Sequence, residues 1–151
     1  MSWTEREKAL AAVVAIVIII AAAVVLSITY RFGNIGSVKA VGIGVYWDRA
    51  GTQNVTQIDW GTVSPGSTYG VSVFIKNIKN TNITMSMMTG NWVPASASKY
   101  LALTWNYTGQ VIRPGEIFPY QFRLAVASNI TNVDTFGFDI TITAIEYTGP
   151  S

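Results

Sequence analysis

The side chains that could perform catalysis or bind a metal are few in this 151-residue chain. The sequence contains no histidine and no cysteine. Their absence excludes disulfides, thiolate nucleophiles, imidazole acid–base catalysis and the usual zinc and haem ligands. The remaining candidates for chemistry are a few carboxylates and one grouping of serine with lysine.

The carboxylates form two candidate groups. Asp134 and Asp139 are five positions apart in one predicted strand. An odd separation points side chains to opposite faces of a strand, so the two are not expected to form a general acid–base pair. Asp48, Asp59 and Glu116 could converge on a calcium ion, but none belongs to a loop that is dense in oxygen ligands. We therefore expect neither a metal nor a cofactor.

A serine nucleophile activated by lysine is the last catalytic option. Ser96 and Ser98 lie close in sequence to Lys99, but no segment predicts an oxyanion hole beside them. We therefore expect no enzyme activity and no small-molecule substrate. The net charge is only +2 and the basic residues of the chain beyond position 30 are scattered singly, so nucleic acid is not an expected partner either.

Tryptophans could serve in binding instead of catalysis. Trp47, Trp60, Trp92 and Trp105 could form a platform on which carbohydrate rings stack. Each also buries a large apolar area, and three of the four lie in or at the end of an alternating segment. Packing in the core is the preferred interpretation, and a carbohydrate-binding surface module is the alternative.

A long uncharged segment near the N-terminus predicts a transmembrane α-helix. Residues 10–30 contain no charged side chain. As an α-helix with a rise of about 1.5 Å per residue they would be about 31 Å long, which matches the thickness of the hydrocarbon core of a bilayer. A charged leader, residues 1–9, precedes them. Three fates are open for this segment: an uncleaved anchor, a conventional signal peptide cut after Ala23, or processing just before the apolar helix.

Processing before the helix is suggested by Lys8-Ala9-Leu10, in which a basic and a small residue directly precede the apolar run. This arrangement resembles the class III signal peptide of archaeal type IV pilins and archaellins. The resemblance implies cleavage between Ala9 and Leu10 by a membrane-embedded prepilin peptidase, followed by packing of the helix into a filament core. Small residues between Leu10 and Leu26 would allow the helix to self-associate or to pack on other membrane subunits.

Four N-glycosylation sequons indicate which side of the membrane holds the rest of the chain. All four lie beyond residue 50 and none lies in the leader. We therefore expect residues beyond the helix to lie outside the cytoplasm, where such sites can be modified. The acceptor residues are Asn54, Asn82, Asn106 and Asn129.

The remainder of the chain predicts an all-β domain. After a short linker, residues 31–38, short alternating runs separated by Gly, Pro and Asn fill residues 39–148. About seven strands fit this stretch, which is the strand number of an antiparallel immunoglobulin-like β-sandwich without its disulfide. The first strand is expected from Val41 through Trp47, where Val41, Ile43, Val45 and Trp47 alternate with smaller or polar neighbours and so predict the buried face. Residues 55–60 and 69–76 are expected to form a hairpin.

The last strand is the most regular. Phe138, Ile140 and Ile142 alternate with Asp139 and Thr141, which predicts one buried and one solvated face. By the same phase argument, Trp105 should be buried, and Asn82 and Asn106 should be exposed.

A second resemblance concerns this domain and implies a fold and a location. Its aromatic, glycine and turn positions resemble a single-domain extracytoplasmic β-sandwich of predicted archaeal surface proteins. We therefore expect a non-enzymatic structural protein of the cell surface, most closely a pilin-like subunit of an extracellular filament. The alternative is an uncleaved, membrane-anchored accessory, surface-layer or adhesion subunit. The positions that carry the second resemblance are Asp59-Trp60-Gly61, Ser64-Pro65-Gly66, Asn91-Trp92, Trp105-Asn106-Tyr107 and Phe136-Gly137-Phe138-Asp139.

Overall fold

The computed structural model describes residues 34–150. The leader, the expected transmembrane helix and the Ala9–Leu10 cleavage site lie outside the described residues. Within residues 34–150, no helix is both long enough and apolar enough to cross a membrane. The described elements are β1 (Ile35–Val41), β2 (Ile43–Tyr46), β3 (Gln57–Asp59), β4 (Thr68–Asn77), β5 (Ile83–Val93), a 3₁₀ helix (Ala95–Lys99), β6 (Leu101–Trp105), β7 (Ile117–Val126) and β8 (Gly137–Glu146).

The strands form two four-stranded sheets that enclose one apolar core. Sheet 1 has the order β3-β1-β8-β5, and sheet 2 has the order β2-β4-β7-β6. Their facing side chains include Val73, Ile75, Phe122, Leu124 and Ile140, none of which is exposed. The expectation of a β-sandwich is therefore confirmed. The described part of the chain has eight strands instead of about seven, because the expected first strand is divided into β1 and β2.

Alternation along the later strands places the expected residues in the core. In β8, Phe138, Ile140 and Ile142 are at most 3% exposed, and the residues between them are half-buried. In β7, Phe122 and Leu124 are likewise buried, whereas Arg123 is exposed. A period of two residues therefore identified the inner face of both strands correctly.

The expected first strand is in fact two strands in different sheets. Gly42 adopts a φ of 77°, a conformation that side chains other than glycine rarely take, and the chain turns there from β1 into β2. Ile43 and Val45 are buried as expected. Val41 and Trp47 are 53% and 41% exposed, which contradicts the expected burial. The alternation from Val41 to Trp47 therefore did not predict one buried face, because the chain passes from sheet 1 to sheet 2 at Gly42.

The strand β1 also corrects two expectations about pairing and boundaries. It begins at Ile35, so the second half of the expected linker, residues 31–38, is strand. It pairs in parallel with β8, from Ile35 opposite Gly137 to Val41 opposite Thr143. The sandwich is therefore not wholly antiparallel, since its first and last strands run side by side in the same direction.

Residues 55–60 and 69–76 do not form the expected hairpin. The strand β3 pairs antiparallel with β1 in sheet 1, whereas β4 pairs with β2 and β7 in sheet 2. The Trp60 N–H donates to the Asn34 carbonyl at 2.8 Å, which fixes the end of β3 beside the start of β1. The Pro65-Gly66 turn therefore joins two sheets instead of two neighbouring strands.

Candidate functional site

The three carboxylates that could have held calcium each close a separate loop. Asp48 accepts hydrogen bonds from the Thr52 hydroxyl and from the N–H groups of Thr52 and Gln53. Asp59 accepts from the Gly61 N–H at 2.9 Å, and Glu116 accepts from the Arg113 N–H at 2.8 Å. No group of three acidic side chains within residues 34–150 is placed to hold a metal ion.

Asp139 lies on the outer face of sheet 1 and joins its three longer strands. Its carboxylate accepts from Asn91 Nδ2 at 2.7 Å and from Lys39 Nζ at 3.3 Å. Asp134 lies before β8, in the loop that follows β7, so the two aspartates do not belong to one strand. Asp139 has the role of a surface cross-link and is half-buried.

The candidate serine nucleophiles lie on the 3₁₀ helix. The Ser98 hydroxyl donates to the Ala95 carbonyl at 2.9 Å, which is a local contact of the helix itself. No hydrogen bond joins Ser96 or Ser98 to Lys99 in the described region. The geometry of a lysine-activated nucleophile is thus not formed here.

The tryptophans do not form a common binding platform. Trp60 is 6% exposed, and its indole lies against Gly36 of β1. Trp92 stacks on Phe138 with ring centroids 4.2 Å apart, so that one face of its ring is covered. Trp105, which was expected to be buried, is only half-buried against the core. Trp47 is the most exposed of the four, at 41%, and a single exposed ring is a poor basis for a stacking platform.

An aromatic cluster that the sequence patterns did not predict connects β6 and β7 of sheet 2 with β5 of sheet 1. Trp105 contacts Tyr107 at a centroid distance of 5.1 Å, and Tyr107 meets Tyr120 edge-on at 5.6 Å. The Tyr107 hydroxyl donates to the Gln110 carbonyl and accepts from the Met85 N–H. Burial raises the pKa of both tyrosines. These contacts tie the segment after β6 to sheet 1 and give the cluster a structural role.

A groove opens between the loop after β3 and the loop after β7. It has a volume of about 210 Å³, and its lining includes Val63, Ile130, Asp134 and Phe136. Pockets for drug-sized ligands usually begin near 300 Å³ and contain several converging polar groups. This groove is smaller than that and holds one charged side chain, so it does not define a ligand site.

The four sequon asparagines occupy different parts of the sandwich surface. Asn106 is exposed, as expected, and so are Asn54 and Asn129. Asn82 is half-buried, which contradicts its expected exposure. The Asn82 carbonyl accepts from the Tyr147 N–H, which draws the residue against the end of β8. The Oδ1 atom of Asn106 accepts from the Gln121 N–H at 2.9 Å. Modification of these residues stays a prediction.

The carboxylates predict a small response of stability to acid. Hydrogen bonds from Thr52 and Gln53 lower the pKa of Asp48, and Asn91 with Lys39 lowers that of Asp139. A lowered folded pKa favours the folded state above the unfolded value of about 3.9. That contribution is lost as the pH falls through the folded pKa. Solvent screens both groups, so we expect the melting temperature to fall by less than about 5 °C between pH 7 and pH 3.

Thermal melts of the full chain at the two pH values measure this difference. Asp139→Asn should remove part of the fall, because the amide cannot titrate. Asp134→Asn is the matched control, since Asp134 makes none of these contacts. A fall of tens of degrees in the unmodified chain would contradict the expectation.

Comparison with known proteins does not assign the chain to a family. No protein-family model matches the chain, and no curated protein sequence matches it. Function is therefore inferred from the placement of the chain's own residues. Within residues 34–150, the side chains that were candidates for chemistry are dispersed over loops, the 3₁₀ helix and the outer face of sheet 1.

Proposed function

We propose that this protein is a non-enzymatic structural component of the cell surface, most closely a pilin-like subunit of an extracellular filament. One observation carries the proposal: a β-sandwich begins at Ile35, shortly after the apolar segment of residues 10–30, and its candidate catalytic residues are dispersed over loops, the 3₁₀ helix and the outer face of sheet 1. A rigid domain attached to such a segment suits a role in assembly. In this proposal, the segment lies in the membrane or filament core and the sandwich lies outside the cytoplasm.

The strand order supports an immunoglobulin-like assignment for the sandwich. An immunoglobulin domain places strands A, B, E and D in one sheet and C, F and G in the other. Sheet 2, in the order β2-β4-β7-β6, matches A-B-E-D in both chain order and neighbours. The strands β5 and β8 then correspond to C and F. The position of strand G is filled by β1, which pairs in parallel with β8.

The surface composition of the domain also supports an extracellular location. Only six acidic and eight basic residues follow the apolar segment, and Ser, Thr and Asn supply most of the polar surface. Because charged side chains are few, glycans attached to this surface would cover few of them. Three of the four sequon asparagines are exposed, which leaves their side chains accessible to modification.

Processing at the N-terminus is the direct test of the pilin-like proposal. We expect the mature protein to begin at Leu10, because Lys8-Ala9 precedes the apolar segment as in the pilin-like signals that it resembles. Lys8→Ala and Ala9→Asp should each block cleavage and leave the full mass of the precursor. Glu5→Ala is the control, since this change lies within the leader and away from the cleavage position.

Three outcomes of the mass measurement are informative. A mature N-terminus at Leu10 that is lost in both variants supports the filament subunit. A mature N-terminus at Met1 or Ser2 would replace it with the anchored accessory or adhesion subunit. A mature N-terminus at Val24 would mean a secreted protein without an anchor and would overturn both.

A further inference from the structure

We infer that the pairing of β1 with β8 is a mechanical clamp, which makes the sandwich resist tension applied along the chain from its N-terminal side. The two strands are parallel and in register over seven residue pairs, from Ile35 opposite Gly137 to Val41 opposite Thr143. They are also the two central strands of sheet 1. The first and last strands of the domain are thus directly paired, and this pair of strands is the clamp.

The direction of the strands decides how load reaches the clamp. The chain enters at Asn34, next to the start of β8, and leaves after Glu146, beyond the opposite end of β1. Tension between the two ends therefore pulls β1 and β8 past each other along their own axes. All hydrogen bonds between the two strands of the clamp then bear the load together. In a hairpin that is pulled apart at its open end, by contrast, the hydrogen bonds break one after another.

Neighbouring contacts reinforce the clamp on both sides. On the outer edge of β1, β3 pairs with residues 35–37, and the Val38 N–H donates to the carbonyl of Thr56, just before β3. On the other side of β8, β5 is paired from Ile83 opposite Glu146 to Val93 opposite Gly137. Below the clamp, Gly36 lies so close to Ile140 that an added Cβ would be 3.0 Å from Cδ1. The strand β1 is thus held by both neighbours and by the core.

Asn34 strengthens the point where the chain enters. Its Nδ2 donates to the Gly61 carbonyl at 2.7 Å, and its Oδ1 accepts from the Phe136 N–H at 3.1 Å. Its own carbonyl accepts from the Trp60 N–H. Load that arrives from residue 33 therefore meets three hydrogen bonds to two other segments before it reaches β1.

The clamp follows from the strand topology, and its biological use rests on the proposed function. If residues 10–30 anchor the chain in a membrane or filament core and a partner holds the chain beyond Glu146, tension between these two points passes through Asn34 into β1 and loads the clamp in shear. A surface filament or adhesion subunit experiences such tension whenever the cell is pulled from an attachment. The clamp would delay unfolding under that tension, because forced unfolding is governed by the height of the unfolding barrier.

Single-molecule pulling in two directions tests the clamp. The chain has no cysteine, so one introduced thiol gives a unique attachment point, with the second attachment at the N-terminus in both cases. Thr148→Cys places the thiol beyond the end of β8 and loads the clamp in shear. Thr135→Cys places it before β8, next to Asn34, and peels the same strands apart from one end. Both threonines are exposed, so neither change should impair folding.

We expect the unfolding force at equal loading rate to be at least about twofold higher through residue 148 than through residue 135, because only the first geometry loads the seven pairs together. Equal forces in the two directions, or a lower force in shear, would overturn the inference. The measurement does not depend on where the N-terminus is processed. A failure of the clamp is therefore distinct from a failure of the proposed function.

A backbone substitution in the clamp gives a second test. The Ile35 N–H donates to the Phe136 carbonyl, so odd-numbered residues of β1 direct their N–H groups towards β8. Ser37→Pro removes one such donor from an exposed position, and Ala40→Pro is the control on the opposite edge of the same strand. We expect the shear force to fall more for Ser37→Pro than for Ala40→Pro. An equal fall of the unfolding force in the two variants would mean that the hydrogen bonds between β1 and β8 do not bear the load.

Discussion

Replacing Phe138 with alanine is expected to lower the free energy of unfolding by about 3–5 kcal/mol. Phe138 is 3% exposed and lies near the start of β8, where its ring stacks on Trp92 at 4.2 Å and on Phe136 at 6.1 Å. Truncation removes these contacts and leaves a cavity that the two paired strands on either side cannot close. Urea denaturation of the full chain measures the change.

Phe118→Ala is the matched control for this experiment. Phe118 has the same side chain and also lies in a strand, but it is 40% exposed. We expect its truncation to cost less than about 1.5 kcal/mol, because much less apolar area is returned to water. Equal losses at the two positions would mean that Phe138 does not occupy the core described here.

Asn77→Asp is expected to destabilise the protein by about 3 kcal/mol at neutral pH, although it preserves the shape of the side chain. Asn77 is 1% exposed. Its Nδ2 donates to the carbonyl oxygens of Thr81 and Ile112, and its Oδ1 accepts from the Lys79 N–H. An aspartate would place a second oxygen against those two carbonyls, where no proton is available at neutral pH.

The pH dependence of the variant separates hydrogen bonding from packing. A buried carboxylate beside two carbonyl oxygens has a pKa above its unfolded value, so its destabilising effect should shrink as the pH falls and the group is protonated. Denaturation at pH 4 and pH 7 tests this sign. Asn80→Asp, at an exposed position in the same loop, should change stability by less than about 0.5 kcal/mol at either pH. A loss for Asn77→Asp that is independent of pH would show that the hydrogen bonds are not its cause.

Local patterns in the sequence predicted the faces of single strands well. Phe122, Leu124, Phe138 and Ile140 are buried where a period of two residues places them. The pattern works because neighbouring side chains of a strand must point to opposite faces, whichever strand lies beside it. It failed at Val41 and Trp47, since Gly42 moves the chain from one sheet to the other between them.

The same local patterns could not predict Asn77 or the aromatic cluster. An asparagine at the end of a strand usually lies in a solvated turn, and nothing next to it in sequence shows that Ile112 will supply an acceptor. Tyr107 and Tyr120 meet only because the segment after β6 folds back across the open side of the sandwich. Both arrangements depend on residues that are far apart in the chain.

By itself, the sequence determined which chemistry is excluded and which class of fold is formed. The absence of histidine and cysteine is a property of composition, and strand alternation is a property of neighbouring residues. Only the tertiary structure decided that Asp48, Asp59 and Glu116 stay apart and that β1 pairs in parallel with β8 across about a hundred residues of chain. The physical reason is that alternation specifies which face of a strand is buried but not which strand lies beside it. That choice is made by the packing of the whole core and by the cost of closing the loops between the partners.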